Sequence, residues 1–152
     1  MWTHELLETI LQDCVSASIL TGIYAIDTLP VVVKYPAALI INLSVSRSGG
    51  SHWVCVYINR HGHGYYFDSL GNPAPRPILK FLRRNCKSFR VNTTKYQADQ
   101  SVLCGLFCIV FLYFKARNQN VLSKFHTRNL KQNDRLVLEY VKKIKKQKQQ
   151  CK

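Results

Sequence analysis

The chain reads QADQSVLCGLFCIVFLYF from Gln97 to Phe114, and no other segment constrains the architecture as strongly. Its second part, Gly105–Phe114, is apolar on all sides, which is typical of a helix enclosed by the rest of a domain. Its first part, Gln97–Ser101, is polar, so Cys104 stands where a polar loop meets a buried helix. The apolar run is shorter than the roughly 20 residues needed to cross a bilayer, so we expect no membrane partner.

The segments around this helix predict a sheet with further helices. Ala38–Leu43 and Trp53–Ile58 are apolar and β-prone, and Tyr65–Asp68 returns after the turn Asn59–Gly64 to complete a hairpin. Three further helices are predicted: one capped by Thr3, an amphipathic one at Pro77–Arg84 and a last one capped by Asn133. A short strand is predicted at Phe89–Asn92 and a loop at Ser46–Ser51. Gly22–Ala25 is predicted to be loop and short extended pieces. We therefore expect an α+β fold, with a small mixed sheet and helices packed around a buried central helix.

Length and cysteine usage indicate one intracellular domain. All 152 residues make a single domain of ordinary size, with residues 142–152 as a basic tail. The N-terminus has no basic stretch before its apolar residues, so we expect no signal peptide. Six cysteines at irregular spacing predict reduced thiols. Cys104 and Cys108 lie one helical turn apart, but no second Cys/His pair stands at ligand spacing, so no metal site is predicted.

The formal net charge of +14 is unevenly distributed. Arg76–Lys95 holds seven basic residues and no acidic one, and Lys115–Lys152 holds twelve basic residues against two acidic ones. Such a field attracts polyanions, so we expect nonspecific DNA binding; a solvated face that only keeps the protein soluble is the alternative. The residues assigned to DNA contact are Arg83, Arg84, Lys87, Arg90, Lys142, Lys143, Lys145 and Lys146.

His52 opens one predicted hairpin strand and Asp68 closes the other. With the turn centred on Arg60, these two residues face each other, and directly opposed residues have Cβ atoms about 4.5–5.5 Å apart. The carboxylate can then hold one imidazole nitrogen while the other points outward. Taken singly, His52 is better explained as a surface histidine and Asp68 as a turn-capping residue; the cross-strand match favours the pair.

Cys104 stands at a helix start, where the backbone N–H groups and the helix dipole favour a thiolate. An imidazolium at His52 would lower the thiol pKa further and make a nucleophile for a carbonyl carbon. Gly105 has no side chain, so substrate can approach closely. The alternative is a structural thiol, which the polar approach to Cys104 argues against. The sequence thus predicts a thiol protease.

The tetrahedral oxyanion formed in such a reaction needs donors placed in advance. The backbone N–H of Cys104 is one candidate and the side-chain amide of Gln97 is another. Gln100 competes with Gln97 for this role, and Asp99 competes with Asp68 as the carboxylate that orients the histidine. Spacing alone leaves both choices open.

Three motifs, Gly50–Trp53, Tyr66–Gly71 and Gln97–Cys108, resemble the adenovirus proteinase (adenain) family, especially its versions in small DNA viruses and Polinton/Maverick elements. The likeness spans about residues 20–140 and is specific at four positions. It implies that His52, Asp68 and Cys104 form a triad and that Gln97, seven residues before the cysteine, lines the oxyanion hole. Adenain has Glu where this chain has Asp68, and the related SUMO-specific proteases have Asp there.

The resemblance also implies a function and partners. It implies a cysteine endopeptidase that acts as a monomer in the host nucleus and the virion and cleaves capsid and core precursors after small (Gly-type) residues. Trp53 and Gly105 would line the substrate groove, with core packing as the alternative for Trp53. No cofactor is required chemically, but DNA and a viral peptide would activate the enzyme. Cys86, eleven residues before Gln97, would form the disulfide with that peptide, with a free thiol as the alternative.

Two other functions compete with this interpretation. A protease specific for SUMO or another ubiquitin-like modifier would use the same four residues but needs a broad docking surface, for which the chain is short. A basic nucleic-acid-binding protein would use the cationic segments and keep Cys104 as a structural thiol.

Overall fold

A computed structural model describes residues 19–32, 34–44 and 52–150. The predicted helix at Thr3 and the predicted loop at Ser46–Ser51 lie outside these ranges. Within them, one sheet has its strands in chain order: β1 (Leu20–Ala25), β2 (Ala37–Asn42), β3 (Trp53–Ile58), β4 (His63–Phe67) and β5 (Ser88–Val91). The helices are α1 (Arg76–Asn85), α2 (Cys104–Ala116) and α3 (Leu130–Gln150), with a 3₁₀ helix at Val121–Lys124.

The sheet is mixed and is covered on both faces. Strands β1 and β2 are parallel, β2 pairs antiparallel with β3 and β3 with β4, and β4 and β5 are parallel. Every residue of β2 and β3 is buried, so their near-continuous apolar sequences are those of strands enclosed on two sides. Ile40 and Cys55 face the cluster that contains α2, whereas Leu39 and Val56 face the cluster that contains α1. The predicted α+β class is confirmed.

Helix α2 is the buried centre of the domain. Its residues from Cys104 to Leu112 are all buried, as is Phe114, which explains the apolar sequence around its whole circumference. It packs against β3, and the Phe111 ring stacks on Phe67 of β4 with centroids 4.6 Å apart. Within the described ranges, no helix combines the length and the hydropathy needed to span a membrane.

The β3–β4 hairpin forms with a different register from the predicted one. Cys55 pairs with Phe67 and Tyr57 with Tyr65, so the turn is centred on His61 and not on Arg60. The reason is Gly62, whose φ of 85° closes the turn with its N–H donating to the carbonyl of Asn59. The shift relative to the predicted pairing is two residues, so every side chain keeps its predicted face.

Two other predictions differ from the structure at the edges of the fold. Gly22–Ala25, predicted as loop and short extended pieces, belongs to β1, which lies parallel to β2 and buries Ile23. Helix α3 starts at Leu130, and Asn129 caps it by accepting a bond from the Gln132 N–H at 3.2 Å. The prediction that Asn133 caps this helix is therefore wrong.

Helix α3 also extends through most of the segment predicted as a tail. It is helical to Gln150, so residues 142–150 continue the domain's last helix. Val137, Val141 and Ile144 are buried in the same cluster as α2, and this apolar stripe explains why the helix does not stop at residue 142.

Candidate active site

Three side chains from three separate elements meet at one end of the sheet. His52 directly precedes β3, Asp68 directly follows β4, and Cys104 is the first residue of α2. The Nε2 atom of His52 lies 2.7 Å from Oδ1 of Asp68, and Cys104 lies close enough to the same imidazole for each group to shift the other's pKa. Because Nε2 is engaged by the carboxylate, Nδ1 is the nitrogen left for the sulfur. The structure thus brings the predicted acid, base and nucleophile together at one site.

Asp68 is held on all sides by the turn that follows β4. Its side chain is fully buried, and Oδ1 also accepts a bond from the Leu70 N–H at 2.8 Å. The side-chain amide of Asn92 binds the Asp68 backbone at two points: its oxygen accepts from the Asp68 N–H at 2.8 Å, and its nitrogen donates to the Asp68 carbonyl at 2.7 Å. The second carboxylate oxygen, Oδ2, is buried without a partner among the described residues. A carboxylate in such surroundings is stabilised chiefly by a cation, and His52 is the group in position to supply one.

Two opposing effects set the pKa of His52. Burial lowers it, but the hydrogen bonds to Asp68 and Cys104 and the negative charges of those groups outweigh burial and raise the pKa from 6.5 to about 9. The ring is only 16% exposed, so solvent screens these interactions weakly. At neutral pH the geometry therefore favours an imidazolium.

The pKa of Cys104 moves in the complementary direction. Burial alone would raise it, but the hydrogen bond and charge of His52 and the backbone N–H groups of Trp53 and Gly105 lower it below the ordinary value. Both N–H donors favour the thiolate; that of Gly105 is the one expected for a sulfur at a helix start, whereas that of Trp53 comes from the start of β3. The site is built to hold a thiolate beside an imidazolium.

Gln97 is buried and has its amide fixed by two hydrogen bonds. Its Oε1 accepts from the Ser69 hydroxyl at 2.6 Å, and its Nε2 donates to the Ser101 carbonyl at 2.8 Å. The rival residues lie elsewhere: Gln100 is exposed, and Asp99 is an exposed partner of Lys95. The structure therefore favours Gln97 over Gln100 and Asp68 over Asp99, and the oxyanion role of Gln97 stays a prediction.

The residues predicted to line a substrate groove lie beside the sulfur. Trp53 is 7% exposed and belongs to the core cluster around α2, so its side chain packs mainly in the interior. Gly105 is buried in the first turn of α2. Their backbone N–H groups, rather than their side chains, contact Cys104. Neither observation tests a groove.

Cys86 lies just after α1, away from these residues in the chain. Its Sγ occupies the space that a side chain at Gly64 would need, and burial raises the pKa of the thiol to about 11. The thiol is protonated at neutral pH and is therefore a poor nucleophile for disulfide exchange. The predicted disulfide with a peptide stays untested.

The basic residues assigned to DNA are all exposed. They form two sets, which we call the α1–β5 set (Arg83, Arg84, Lys87 and Arg90) and the α3 set (Lys142, Lys143, Lys145 and Lys146). Among the residues that the structure describes, no group of three or more His, Cys, Asp or Glu side chains is arranged to hold a metal ion.

Several positioning residues were missed by the sequence reasoning. Ser69 and Asn92 hold Gln97 and Asp68, and Asn133 donates from its buried side chain to the Tyr96 carbonyl at 2.9 Å. Ser69 and Asn133 are buried polar residues, and Asn92 is half-buried beside Asp68. Polar residues that interrupt an apolar pattern were the available signal, but the sequence does not reveal what each one contacts.

The chain is similar in sequence to two groups of viral proteins that are named proteases. The chain is 28% identical over 106 residues to a protein named SUMO-1 cysteine protease in African swine fever virus, a match covering 59% of this chain and 38% of the relative. It is 33% identical over 92 residues to the protease of human adenovirus B serotype 3, covering 51% and 44%. The aligned part thus spans less than half the length of these relatives. No protein-family model matches the chain.

The fold has a counterpart among solved structures. The crystal structure of an African swine fever virus protease superposes with a TM-score of 0.52 at 16% identity, covering 69% of this chain and 52% of that chain. At this level of identity the superposition speaks for the fold alone.

Proposed function

We propose, from its homology to the cysteine protease of African swine fever virus and to adenovirus proteases, that this chain is an adenain-type cysteine endopeptidase. The observation that carries the proposal is the arrangement around His52. Its Nε2 is 2.7 Å from a buried carboxylate oxygen of Asp68, and Cys104 is near enough to the same ring to raise its pKa. Nucleophile, base and orienting acid in that order are what acyl transfer from an amide requires.

The reaction follows from these contacts. The Cys104 thiolate adds to the scissile carbonyl carbon, and the carbonyl π electrons move onto oxygen. The second hydrogen of Gln97 Nε2 and the backbone N–H of Cys104, which has no intrahelical acceptor, are the donors for that oxyanion. His52 gives its proton to the departing amine, leaving an acyl-enzyme. Water then gives a proton to His52 and adds its oxygen to the acyl carbon, which releases the new carboxyl terminus and restores the thiolate–imidazolium pair.

The substrates we propose are viral capsid and core precursors, cut after small, glycine-type residues during virion maturation in the host nucleus and the virion. Kinship with an adenovirus protease supports this choice. We further propose that the enzyme acts as a monomer and that DNA stimulates it, since two exposed sets of basic residues are available for phosphate contacts.

A second candidate function is cleavage of SUMO conjugates. It is favoured by the name of the African swine fever virus relative, a SUMO-1 cysteine protease, and by the Asp at position 68. Both functions use the same catalytic groups and differ in the substrate that reaches them.

The experiment incubates the purified chain with precursor peptides containing Gly-Gly sites and, separately, with a SUMO-1 conjugate. Cys104→Ala is expected to abolish cleavage, whereas Cys108→Ala, which removes a buried thiol one turn further along α2, is expected to keep most of it. Cleavage that survives Cys104→Ala would overturn the proposal. DNA binding by a wild-type chain that cleaves neither substrate would favour the nucleic-acid-binding alternative.

A further inference from the structure

Ser69 lies between the two halves of the candidate active site. It follows Asp68 directly in the chain, and its side chain is completely buried. Its hydroxyl donates to Oε1 of Gln97 at 2.6 Å, a short bond for two neutral groups. Its carbonyl accepts from the N–H groups of Tyr96 and Gln97 at 2.8 and 2.9 Å. One residue therefore ties both the backbone and the side chain of the predicted oxyanion donor to the turn that carries the acid.

These contacts leave the Gln97 amide only one orientation. The Ser101 carbonyl can only accept, so the nitrogen of the amide must face it, and the oxygen must face the Ser69 hydroxyl. The nitrogen carries two hydrogens, and the bond to Ser101 uses one of them. The other has no acceptor among the described residues.

The Ser69 hydroxyl also acts on the strength of that donor. A hydrogen bond accepted at an amide oxygen withdraws electron density through the conjugated amide, and so polarises the N–H bonds on the other side. In a buried, water-poor site this polarisation is not averaged away by solvent. Removing the hydroxyl would weaken the remaining N–H of Gln97 as a donor and would also free the amide to rotate.

We propose that Ser69 is a positioning residue that orients and polarises the Gln97 amide for oxyanion stabilisation, an inference that rests on the proposed protease function. Asp68 and Ser69, neighbours in the chain, then serve the two halves of one reaction. Asp68 acts through His52 on the nucleophile, and Ser69 acts through Gln97 on the electrophile.

The test is a double-mutant cycle between Ser69→Ala and Gln97→Ala. Ser69→Ala is expected to lower kcat about tenfold, the effect of losing one neutral hydrogen bond, with KM changed less than about twofold. In the Gln97→Ala background the same change is expected to cause no further loss. Ser88→Ala, which removes an exposed hydroxyl bonded to His63, is the matched control. An equal loss from Ser69→Ala in both backgrounds would overturn the proposal.

Alkylation separates this role from a general disturbance of the site. Iodoacetamide reacts with the thiolate without forming an oxyanion, so its rate with Cys104 and the pH dependence of that rate should not change in Ser69→Ala. A fall in the alkylation rate parallel to kcat would mean that Ser69 supports the fold of the site, and would also refute the proposal. Ser69→Cys keeps a weak donor of similar size and should give an intermediate kcat; it replaces Ser69→Ala if that variant does not fold.

A spectroscopic readout decides the question even if no substrate is cleaved. The ¹⁵N–H₂ signals of the Gln97 side chain, assigned by their loss in Gln97→Ala, should shift upfield in Ser69→Ala because the amide is no longer polarised. Unchanged signals would refute the link between Ser69 and Gln97. If the signals shift in Ser69→Ala but the wild-type chain has no peptidase activity, the protease function is refuted and the link between Ser69 and Gln97 remains.

Discussion

At His52 the balance between burial and charge determines the chemistry that the site can perform. A buried imidazole with no partner would be neutral at physiological pH, because desolvation lowers its pKa. Here the buried Asp68 carboxylate and the Cys104 sulfur reverse this effect and raise the pKa to about 9. The same contacts lower the pKa of Cys104. Each partner therefore favours the charged form of the other, and removing His52 should raise the pKa of Cys104 because a cation no longer opposes burial.

The first prediction concerns the pH range over which the ion pair exists. As pH falls below the lowered pKa of Cys104 the thiolate is protonated, and as pH rises through about 9 His52 loses its proton. We expect a bell-shaped dependence of kcat/KM on pH, with the alkaline limb near pH 9. Iodoacetamide at mildly acidic pH should label Cys104 well ahead of Cys86, whose pKa is raised to about 11 by burial. Peptide mapping measures this, and equal labelling would contradict the ion pair.

The second prediction concerns the carboxylate. Asp68→Asn removes the charge that opposes burial, so the pKa of His52 should fall and the alkaline limb of the pH profile should move to lower pH. We expect kcat/KM at neutral pH to fall by about 100-fold or more. Asp99→Asn, at an exposed carboxylate paired with Lys95, is the control and should leave the activity unchanged. An unmoved alkaline limb in Asp68→Asn would show that another group titrates there.

At the scale of elements, two turns depend on a glycine with positive φ: one sets the register of the β3–β4 hairpin and the other follows Asp68. Gly62 closes the hairpin with φ 85°, and Gly71 has φ 72° in the turn after Asp68. A side chain at Gly71 would meet the backbone of Thr94 at 2.8 Å, in the loop that leads to Gln97. A side chain at Gly62 would meet only the flexible side chain of Lys87, at 3.3 Å.

The third prediction uses this difference. Gly62→Ala should cost about 1 kcal/mol of unfolding free energy, the cost of left-handed backbone for a residue with a Cβ. Gly71→Ala should cost about 2–4 kcal/mol, since its Cβ also forces backbone apart, and it should lower kcat because the Gln97 loop must shift. Urea unfolding and steady-state kinetics on both variants test this. An equal loss of unfolding free energy in the two variants would mean that the loop containing Thr94 can move aside at little energetic cost.

The hairpin also shows what the sequence could predict and what it could not. The prediction that His52 and Asp68 share a face was correct although the assumed turn centre was wrong, because a two-residue shift preserves the alternation of side chains. The position of the turn depended on which residue takes positive φ. Gly62 and Gly64 both fit the pattern, and only the assembled sheet distinguishes them.

The start of α3 could not be predicted for a related reason. Asn129 and Asn133 are both good caps by composition, and the prediction chose the second. In the structure Asn133 is buried, where it bonds the backbone of Tyr96 and His126. Local propensity identifies both residues as possible caps. Tertiary contacts decide that Asn129 caps the helix and that Asn133 binds the backbone of neighbouring loops.

At the scale of the whole molecule, the site depends on elements far apart in the chain. The resemblance to the adenovirus proteinase family is confirmed by the similarity to viral proteases, and so is the buried central helix. The four site residues were predicted from their residue types and from the family resemblance, which selects Gln97; spacing alone left Gln97 and Asp68 with rivals. Their supporting contacts come from side chains whose partners lie 24 to 28 residues away, as for Asn92 and Ser69, and composition carries no signal for such pairs.

The charge of +14 is the other property of the whole molecule, and its two exposed basic sets differ in their surroundings. No acidic residue occurs between Arg76 and Lys95, the segment that contains the α1–β5 set. The α3 set follows Glu139, which lies three and four positions before Lys142 and Lys143 and so partly offsets their charge. If the proposed DNA binding occurs, the α1–β5 set should contribute more of it.

The fourth prediction follows from this asymmetry. The logarithm of DNA affinity should fall linearly with the logarithm of salt concentration, by about 0.9 for each phosphate contacted. Replacing the four residues of the α1–β5 set by Gln should reduce the slope by about 3 to 4, and replacing the α3 set should reduce it less. Lys95→Gln is the matched control, since Lys95 is paired with Asp99 and should leave the slope unchanged. Fluorescence anisotropy with a duplex of random sequence measures all four proteins. An affinity that is equal at low and physiological salt would contradict phosphate binding, because releasing counterions from DNA is what gives basic surfaces their attraction to it.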